Sequence, residues 1–140
     1  MNASSPERYL ALKAVMMPRD TNPHGTIFGG VLLSYIDQAG AVGARRAIAQ
    51  SGGPVPSLVT VGMNSVDFHE PVFVGDVVSF WSEALRFGRT SVTMHVVVES
   101  ERDRQTLKLT EAEVTYVAVE LREGKPYPIS IQGKPSSETK

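Results

Sequence analysis

Apolar and polar positions alternate along most of this chain, and a period of two residues is typical of β-strands with one buried face. The alternation is clearest over residues 90–99, where one face carries only apolar side chains: Val92, Met94, Val96 and Val98. Comparable patterns predict four further strands, over residues 9–17, 58–68, 77–87 and 105–121. In the last of these, the apolar positions change from odd to even numbers between Leu109 and Ala112, which predicts a β-bulge.

Residues 27–49 interrupt this alternation and predict one long helix. Asp37 is the only charged residue between Ile27 and Ala44, so apolar residues lie all round the helix, as in a buried one. Small residues are frequent in it, and each glycine costs a helix about 1 kcal/mol relative to alanine. We therefore expect another part of the molecule to pack very close to the helix backbone.

One long helix together with this run of strands predicts an α+β fold, in which a single antiparallel sheet wraps around a central helix. Such a sheet leaves an edge strand and part of the helix uncovered, so we expect self-association. A length of 140 residues is typical of one domain, here spanning residues 1–140 with an ordered core of about 8–130. The polar ends, residues 1–6 and 132–140, are predicted to be frayed.

The composition argues against several classes of function. With 14 basic and 15 acidic residues the net charge is −1, which is not the basic footprint of a nucleic-acid-binding protein. No apolar run reaches the roughly 18 residues of a membrane-spanning helix, and the N-terminus lacks a signal-peptide core, so we expect a cytoplasmic protein. Cysteine is absent and the three histidines (His24, His69 and His95) are far apart in sequence, so we expect neither a disulfide nor a metal site.

Asp37 is the residue with the clearest potential for chemistry. Helical spacing places it on a face that is otherwise small and apolar: Leu33, Gly40, Ala41 and Ala44. A carboxylate on such a face costs free energy unless it is paired or used. One interpretation is an ion pair with an arginine, which a subunit interface could supply. The other is a catalytic role as a general base or a nucleophile.

The segment before the helix has the composition of an anion-binding loop. It reads Asn22-Pro23-His24-Gly25-Thr26-Ile27-Phe28-Gly29-Gly30 and leads into the helix N-terminus. The first N–H groups of a helix lack partners and carry the positive end of its dipole, so they can hold an anion or a developing oxyanion. Glycines there would let a substrate carbonyl approach the backbone, although an ordinary glycine-rich cap has the same composition.

The segment from Asp20 to Gly30, followed by Ile36-Asp37, resembles the signature of the hotdog-fold acyl-CoA thioesterases. More narrowly, it resembles the bacterial single-domain acyl-CoA hydrolases related to the mammalian cytosolic and brain acyl-CoA hydrolase. Later segments resemble further blocks of that family in the same order: residues 66–76, 88–91, 116–119 and 124–128. The resemblance extends from about Arg8 to Ile129, which is nearly the whole chain.

This resemblance implies a hotdog fold, with a five-stranded antiparallel sheet around one helix, and homodimers assembled as trimers of dimers. It also implies hydrolysis of an acyl-CoA thioester to a carboxylic acid and CoA, without a metal or cofactor. Asp37 stands at the family's catalytic position and Asn22 at a polar position of its active site. We expect the N–H of Gly29 or Gly30 to hold the thioester carbonyl. Asp37 of the partner subunit would then attack it or activate a water, and Asn22 would orient the water or the thioester.

Substrate contacts are expected at four residues: His24, Phe28, Arg89 and Ser91. Arg89 with Ser91 is the candidate for the CoA phosphates, because these anions need basic and hydroxyl partners. A surface arginine after a tight turn is the alternative interpretation of Arg89.

Two positions depart from the family pattern. His24 stands where relatives often carry another small polar residue, and His69 stands where an apolar residue is frequent. A loop histidine with a helix acid also resembles the hydroxyacyl-thioester dehydratases of the same fold, although their helix acid is usually glutamate. A non-catalytic acyl-CoA-binding protein is a third possibility, which would bind acyl-CoA without releasing free thiol.

Overall fold

The computed structural model describes residues 7–53 and 55–131. The ends that are predicted to be frayed, residues 1–6 and 132–140, lie outside the described residues. The described residues form one antiparallel sheet of six strands: β1 (Tyr9–Val15), β2 (Ser57–Phe68), β3 (Val77–Phe87), β4 (Ser91–Arg102), β5 (Gln105–Arg122) and β6 (Lys125–Pro128). One long helix, α1 (Gly29–Gln50), packs on this sheet. No helix in these ranges is long and apolar enough to cross a membrane.

The strands lie side by side in the order β1-β3-β4-β5-β2, and the short β6 pairs with the end of β5. This arrangement confirms the α+β prediction, with one strand more than the five that were expected. The extra strand forms because Glu123 and Gly124 both adopt positive φ and turn the chain back, so that Lys125 lies opposite Arg122.

The bulge predicted in the last long strand is confirmed. Val98 of β4 lies opposite Thr110 of β5, but the next β4 residue, Glu99, lies opposite Lys108. Leu109 is therefore left without a partner on β4, and its side chain is fully buried. The extra residue changes which face of the strand receives the apolar side chains.

Helix α1 begins two residues later and ends one residue later than the sequence predicts. It packs on the inner face of the sheet, which is defined by buried side chains: Val78, Phe80, Met94, Val114 and Tyr116. The predicted close approach to the helix backbone is confirmed at two glycines. A Cβ atom at Gly40 would overlap the Tyr116 hydroxyl, and one at Gly43 would overlap the Ser82 side chain.

The prediction that the helix is buried all round is wrong for the single chain. One stripe of α1 is exposed: Gly30, Ser34, Gln38, Val42, Arg45 and Ala49. A sheet on one side can cover only part of a helix, and the stripe that it leaves is mostly small or polar. The lack of charged residues other than Asp37 over residues 29–44 therefore does not mean that every side of the helix is buried.

Strand β2 forms one edge of the sheet, because within the described residues it pairs only with β5. It is 12 residues long and exposes large apolar side chains at Val59, Val61 and Phe68. A long apolar edge strand offers its unpaired N–H and C=O groups to another chain. This edge is therefore the part of the molecule most suited to pairing with a second copy.

Candidate active site

The loop before α1 is closed around the side chain of Asn22. Its Oδ1 accepts hydrogen bonds from the backbone N–H groups of His24 (2.8 Å) and Thr26 (3.1 Å), and its Nδ2 donates to the Thr26 hydroxyl (2.8 Å). A backbone hydrogen bond from Asn22 N–H to the Thr26 carbonyl closes the same loop at 2.7 Å. Asn22 therefore builds the loop, and one hydrogen of its amide is left for another acceptor.

The beginning of α1 is anchored to the sheet through this loop. The N–H of Ile27 donates to the Val72 carbonyl at 2.8 Å, and the N–H of Phe28 donates to the Asp20 carbonyl at 2.9 Å. The N–H groups of Gly29 and Gly30 donate no hydrogen bond to any described residue. They are the first two residues of the helix, so they are fixed donors at the positive end of its dipole.

A cleft of about 340 Å³ lies beside these donors. Its wall combines the helix start with the end of β2 and the segment that follows: Thr26, Ile27, Gly29, Leu32, Phe68, His69, Glu70, Pro71 and Val72. The Phe68 ring lies so close to the helix that a Cβ atom on Gly29 would be 3.3 Å from its Cζ, whereas one on Gly30 would meet nothing within 4 Å. The glycine at position 29 therefore matters for the shape of this cleft.

Asp37 lies half-buried in the third turn of α1, and its carboxylate faces strand β2. The Thr60 hydroxyl donates to Asp37 Oδ1 at 2.8 Å. No lysine, arginine or histidine of the described residues forms an ion pair with Asp37, so the structural ion pair is not formed within one chain. Held by a neutral donor, the carboxylate keeps its second oxygen for a water or a substrate.

Tyr116 fixes the backbone under Asp37. Its hydroxyl donates to the Asp37 carbonyl at 2.6 Å, and its ring is fully buried against Gly40. Burial raises the pKa of this hydroxyl well above its ordinary value of 10, and the Asp37 carboxylate nearby raises it further. Tyr116 therefore stays a hydrogen-bond donor at any pH at which the protein would work.

Thr60 and Tyr116 were not predicted as site residues. Their role depends on strand register, because Thr60 lies opposite Tyr116 in the β2–β5 pair and both point to the inner face. Thr60 falls on the same face of its predicted strand as Leu58, but this spacing alone does not single it out as a site residue.

The two halves of the site are far apart within one chain. Asp37 is the eighth residue after Gly29, and at 1.5 Å per residue the two are about 12 Å apart along the helix axis. An oxyanion donor and a base or nucleophile must both reach the same carbonyl group within about 3 Å. A single chain therefore holds both groups without bringing them together.

Each of the remaining candidate residues lies toward one of the two halves of the site, either the helix start or Asp37. His24 and Phe28 are exposed near the helix start, and the imidazole of His24 contacts no hydrogen-bonding partner among the described residues. Arg89 is exposed in the β3–β4 turn, and Ser91 begins β4 opposite Val117, one residue from Tyr116. Arg89 and Ser91 thus lie toward the Asp37 end of the sheet, and no ion pair occupies Arg89 within the described ranges.

The geometry can be compared with known proteins. The model of the thioesterase superfamily matches residues 24–107 of the chain. An acyl-CoA thioester hydrolase, YciA of Salmonella typhimurium, is 39% identical over 135 residues, which are 93% of this chain and 96% of that protein.

Two crystal structures of hexameric thioesterases have the same fold. The hotdog-fold enzyme of Campylobacter jejuni is 45% identical, with a TM-score of 0.73 over 86% of this chain and 89% of that one. The enzyme of Yersinia pestis is 39% identical, with a TM-score of 0.74 over 89% of this chain and 98% of that one. The family model's match, residues 24–107, includes helix α1 and strand β2, which carries Thr60.

Proposed function

The chain belongs to the thioesterase superfamily and is an acyl-CoA thioester hydrolase, and from that premise we propose how its residues hydrolyse the substrate. The reaction converts an acyl-CoA thioester and water to a carboxylic acid and CoA. The observation that carries the assignment of residues is the Asp37 carboxylate, which is held by the Thr60 hydroxyl at 2.8 Å and has no cationic partner in the described chain.

The active site is shared between two copies. Gly29 and Asp37 of one chain are too far apart to act on one carbonyl, whereas the edge strand β2, which holds Thr60, is free to pair with a second chain. The protein is a homo-oligomer, as the hexameric relatives are. We assign it the arrangement of a trimer of dimers, in which each dimer has two sites related by a two-fold axis.

In this mechanism the N–H groups of Gly29 and Gly30 hold the thioester carbonyl oxygen. Asp37 of the partner subunit takes a proton from a water molecule, whose oxygen attacks the carbonyl carbon. The helix start stabilises the negative charge that develops on the carbonyl oxygen. The tetrahedral intermediate then collapses and the C–S bond breaks. The proton held by Asp37 passes to the departing CoA sulfur, which regenerates the carboxylate.

Direct attack by Asp37 is the second route to the same products. The carboxylate would form a mixed anhydride with the acyl group and expel CoA, and water would then hydrolyse the anhydride. Both routes need the carboxylate free of a cation and oriented by Thr60. Neither needs a metal or cofactor, because a thioester carbonyl is already activated.

We assign contacts with the outer parts of the substrate to the exposed candidate residues. His24 and Phe28 would contact the substrate near the helix start, and Arg89 with Ser91 would bind the CoA phosphates. Arg89 is suited to phosphate because its guanidinium is exposed and offers a fork of donors. We also propose that the protein is cytoplasmic.

The activity is tested by incubating the purified protein with saturated acyl-CoAs of increasing chain length and measuring release of free thiol. The wild-type protein should release thiol with at least one chain length. Asp37→Ala should reduce turnover by about 10²–10⁴, as loss of an acid–base group does. An Asp37→Ala variant that is folded and keeps the full rate would remove Asp37 from the mechanism.

A further inference from the structure

A second cluster of reactive side chains lies on the outer face of the sheet, the face opposite α1. Asp67 near the end of β2 lies opposite Glu111 of β5, and His69 follows two residues later on the same side. One ligand atom from each of these three residues lies within 4.8 Å of the other two. The sequence predicts no metal site here, because the histidines are far apart along the chain.

Paired strands hold these three side chains in place. The backbone N–H of His69 donates to the Leu109 carbonyl at 2.8 Å, which continues the β2–β5 pairing past the end of β2. His69 Nε2 and Glu111 Oε2 are 2.8 Å apart and form a hydrogen bond. The group is therefore built on the backbone of two adjacent strands, which gives a more rigid site than a loop does.

A second layer of contacts orients Glu111. Its Oε1 lies 2.9 Å from His95 Nε2, and His95 Nδ1 in turn lies 3.1 Å from Glu83 Oε1. Chains of this kind, in which carboxylates and imidazoles orient a ligand, are typical of protein metal sites. They leave Glu111 Oε2 to hydrogen-bond with His69.

The cluster carries more negative than positive charge. Three carboxylates (Asp67, Glu83 and Glu111) face one ammonium group, that of Lys108, whose Nζ lies 3.4 Å from Glu111 Oε2. The surroundings of Glu111 thus favour a cation.

We propose that Asp67, His69 and Glu111 form a binding site for a divalent transition-metal ion such as Zn²⁺, with His95 as a positioning residue. One imidazole nitrogen and two carboxylate oxygens are ligands that zinc takes, with water at the fourth position. In a tetrahedral site with bonds of about 2.1 Å the ligand atoms are about 3.4 Å apart. The metal would displace the hydrogen-bonding proton between His69 and Glu111, which would pass to solvent, and the exposed Asp67 side chain would close on the metal.

Such an ion would join β2 to β5 beside the edge of the sheet. Because the folded chain brings the three ligands together, metal binding would stabilise the folded state. His69 also lines the cleft next to Gly29, so the ion would lie at the rim of that cleft. The site is separate from Asp37 and Thr60, which face α1 on the inner side.

Calorimetric titration of the chelator-treated, full-length protein with ZnCl₂ tests this inference. One ion should bind per chain, and the melting temperature should rise on binding. Asp67→Asn and His69→Gln should each weaken binding by tenfold or more. Glu113→Gln is the matched control, because Glu113 is a carboxylate two residues from Glu111 on the same outward face and its change removes the same charge as Asp67→Asn.

Equal weakening by Asp67→Asn and Glu113→Gln would mean that zinc binds only through general surface charge, and would overturn the proposal. The histidine side-chain resonances of the wild-type protein give a second test that needs no variant. Zinc should shift the resonances of His69, whereas binding at the exposed His24 would shift those of His24 instead. Absence of any zinc binding at micromolar to millimolar concentrations would equally refute the site.

Discussion

Mixing two inactive variants tests whether the active site is built from two chains. Asn22→Ala removes a side chain that makes three hydrogen bonds in the loop before α1, which disrupts the Gly29 half of the site. Asp37→Ala removes the carboxylate from the other half. Each variant alone should therefore lose most of its thioesterase activity, by about 10²–10⁴ for the carboxylate.

The size of the rescue follows from counting sites. A shared site works only if its Asn22 comes from an Asp37→Ala chain and its Asp37 comes from an Asn22→Ala chain. With equal amounts and random exchange, each event has a probability of about one half, so about a quarter of the sites are intact. This fraction is the same for free dimers and for trimers of dimers, because each site involves only two chains.

The assay mixes the two variants under conditions that allow subunit exchange, verifies mixed oligomers by native mass spectrometry, and measures thiol release. Asp37→Ala mixed with Thr60→Val is the matched control. Thr60 and Asp37 act from the same chain, so this mixture should give no more than the mean of its two parents. Verified mixed oligomers of the first pair without recovery would place Asn22 and Asp37 in the site of one chain and refute the shared mechanism.

Three further changes probe how Asp37 is held. Thr60→Val removes a hydrogen bond to a charged group, which is worth about 1.5–3 kcal/mol. The kcat should therefore fall by about tenfold or more with little change in KM, and Thr60→Ser should restore the wild-type kcat. Burial raises the pKa of Tyr116 above its ordinary value of 10 in the folded state, so the free energy of unfolding should decrease as the pH rises past 10. Denaturant titrations at several pH values should show a smaller decrease for Tyr116→Phe. Gly40→Ala should lower the melting temperature, because an overpacking cost of about 1–3 kcal/mol exceeds the roughly 1 kcal/mol gained in helix propensity, whereas Gly30→Ala, which meets nothing within 4 Å, should not.

The features predicted correctly from the sequence are those set by local pattern. Alternation locates the long strands, and the shift of phase after Leu109 locates the bulge, because both follow from the two-residue period of a strand. The sixth strand has four residues, two of them proline, and is too short to produce a pattern. The exposed stripe of α1 was missed because small residues are compatible with either burial or exposure.

In the candidate site, too, local pattern singles out some residues, whereas others depend on how the strands and the helix pack. Asp37 stands out in the sequence because a charge interrupts an apolar helix, and Gly29 stands out because it belongs to the glycine-bearing segment that leads into that helix. Thr60, which donates a hydrogen bond to Asp37, does not stand out in the sequence. Its approach to Asp37 depends on how β2 is aligned with β5 and on how closely the helix packs. The cluster around Glu111 is hidden for the same reason, since residues as far apart as His69 and His95 meet only across the assembled sheet.

The glycines of α1 connect this packing to the chemistry. Gly40 lies one turn after Asp37, and because it lacks a Cβ atom the Tyr116 hydroxyl can reach the Asp37 carbonyl. The same close approach brings Thr60, opposite Tyr116, within 2.8 Å of the Asp37 carboxylate. Alanine at Gly40 would give a better isolated helix but would push it away from the sheet. The glycine therefore costs helix stability and in return places the acid beside the edge strand, where a second chain can reach it.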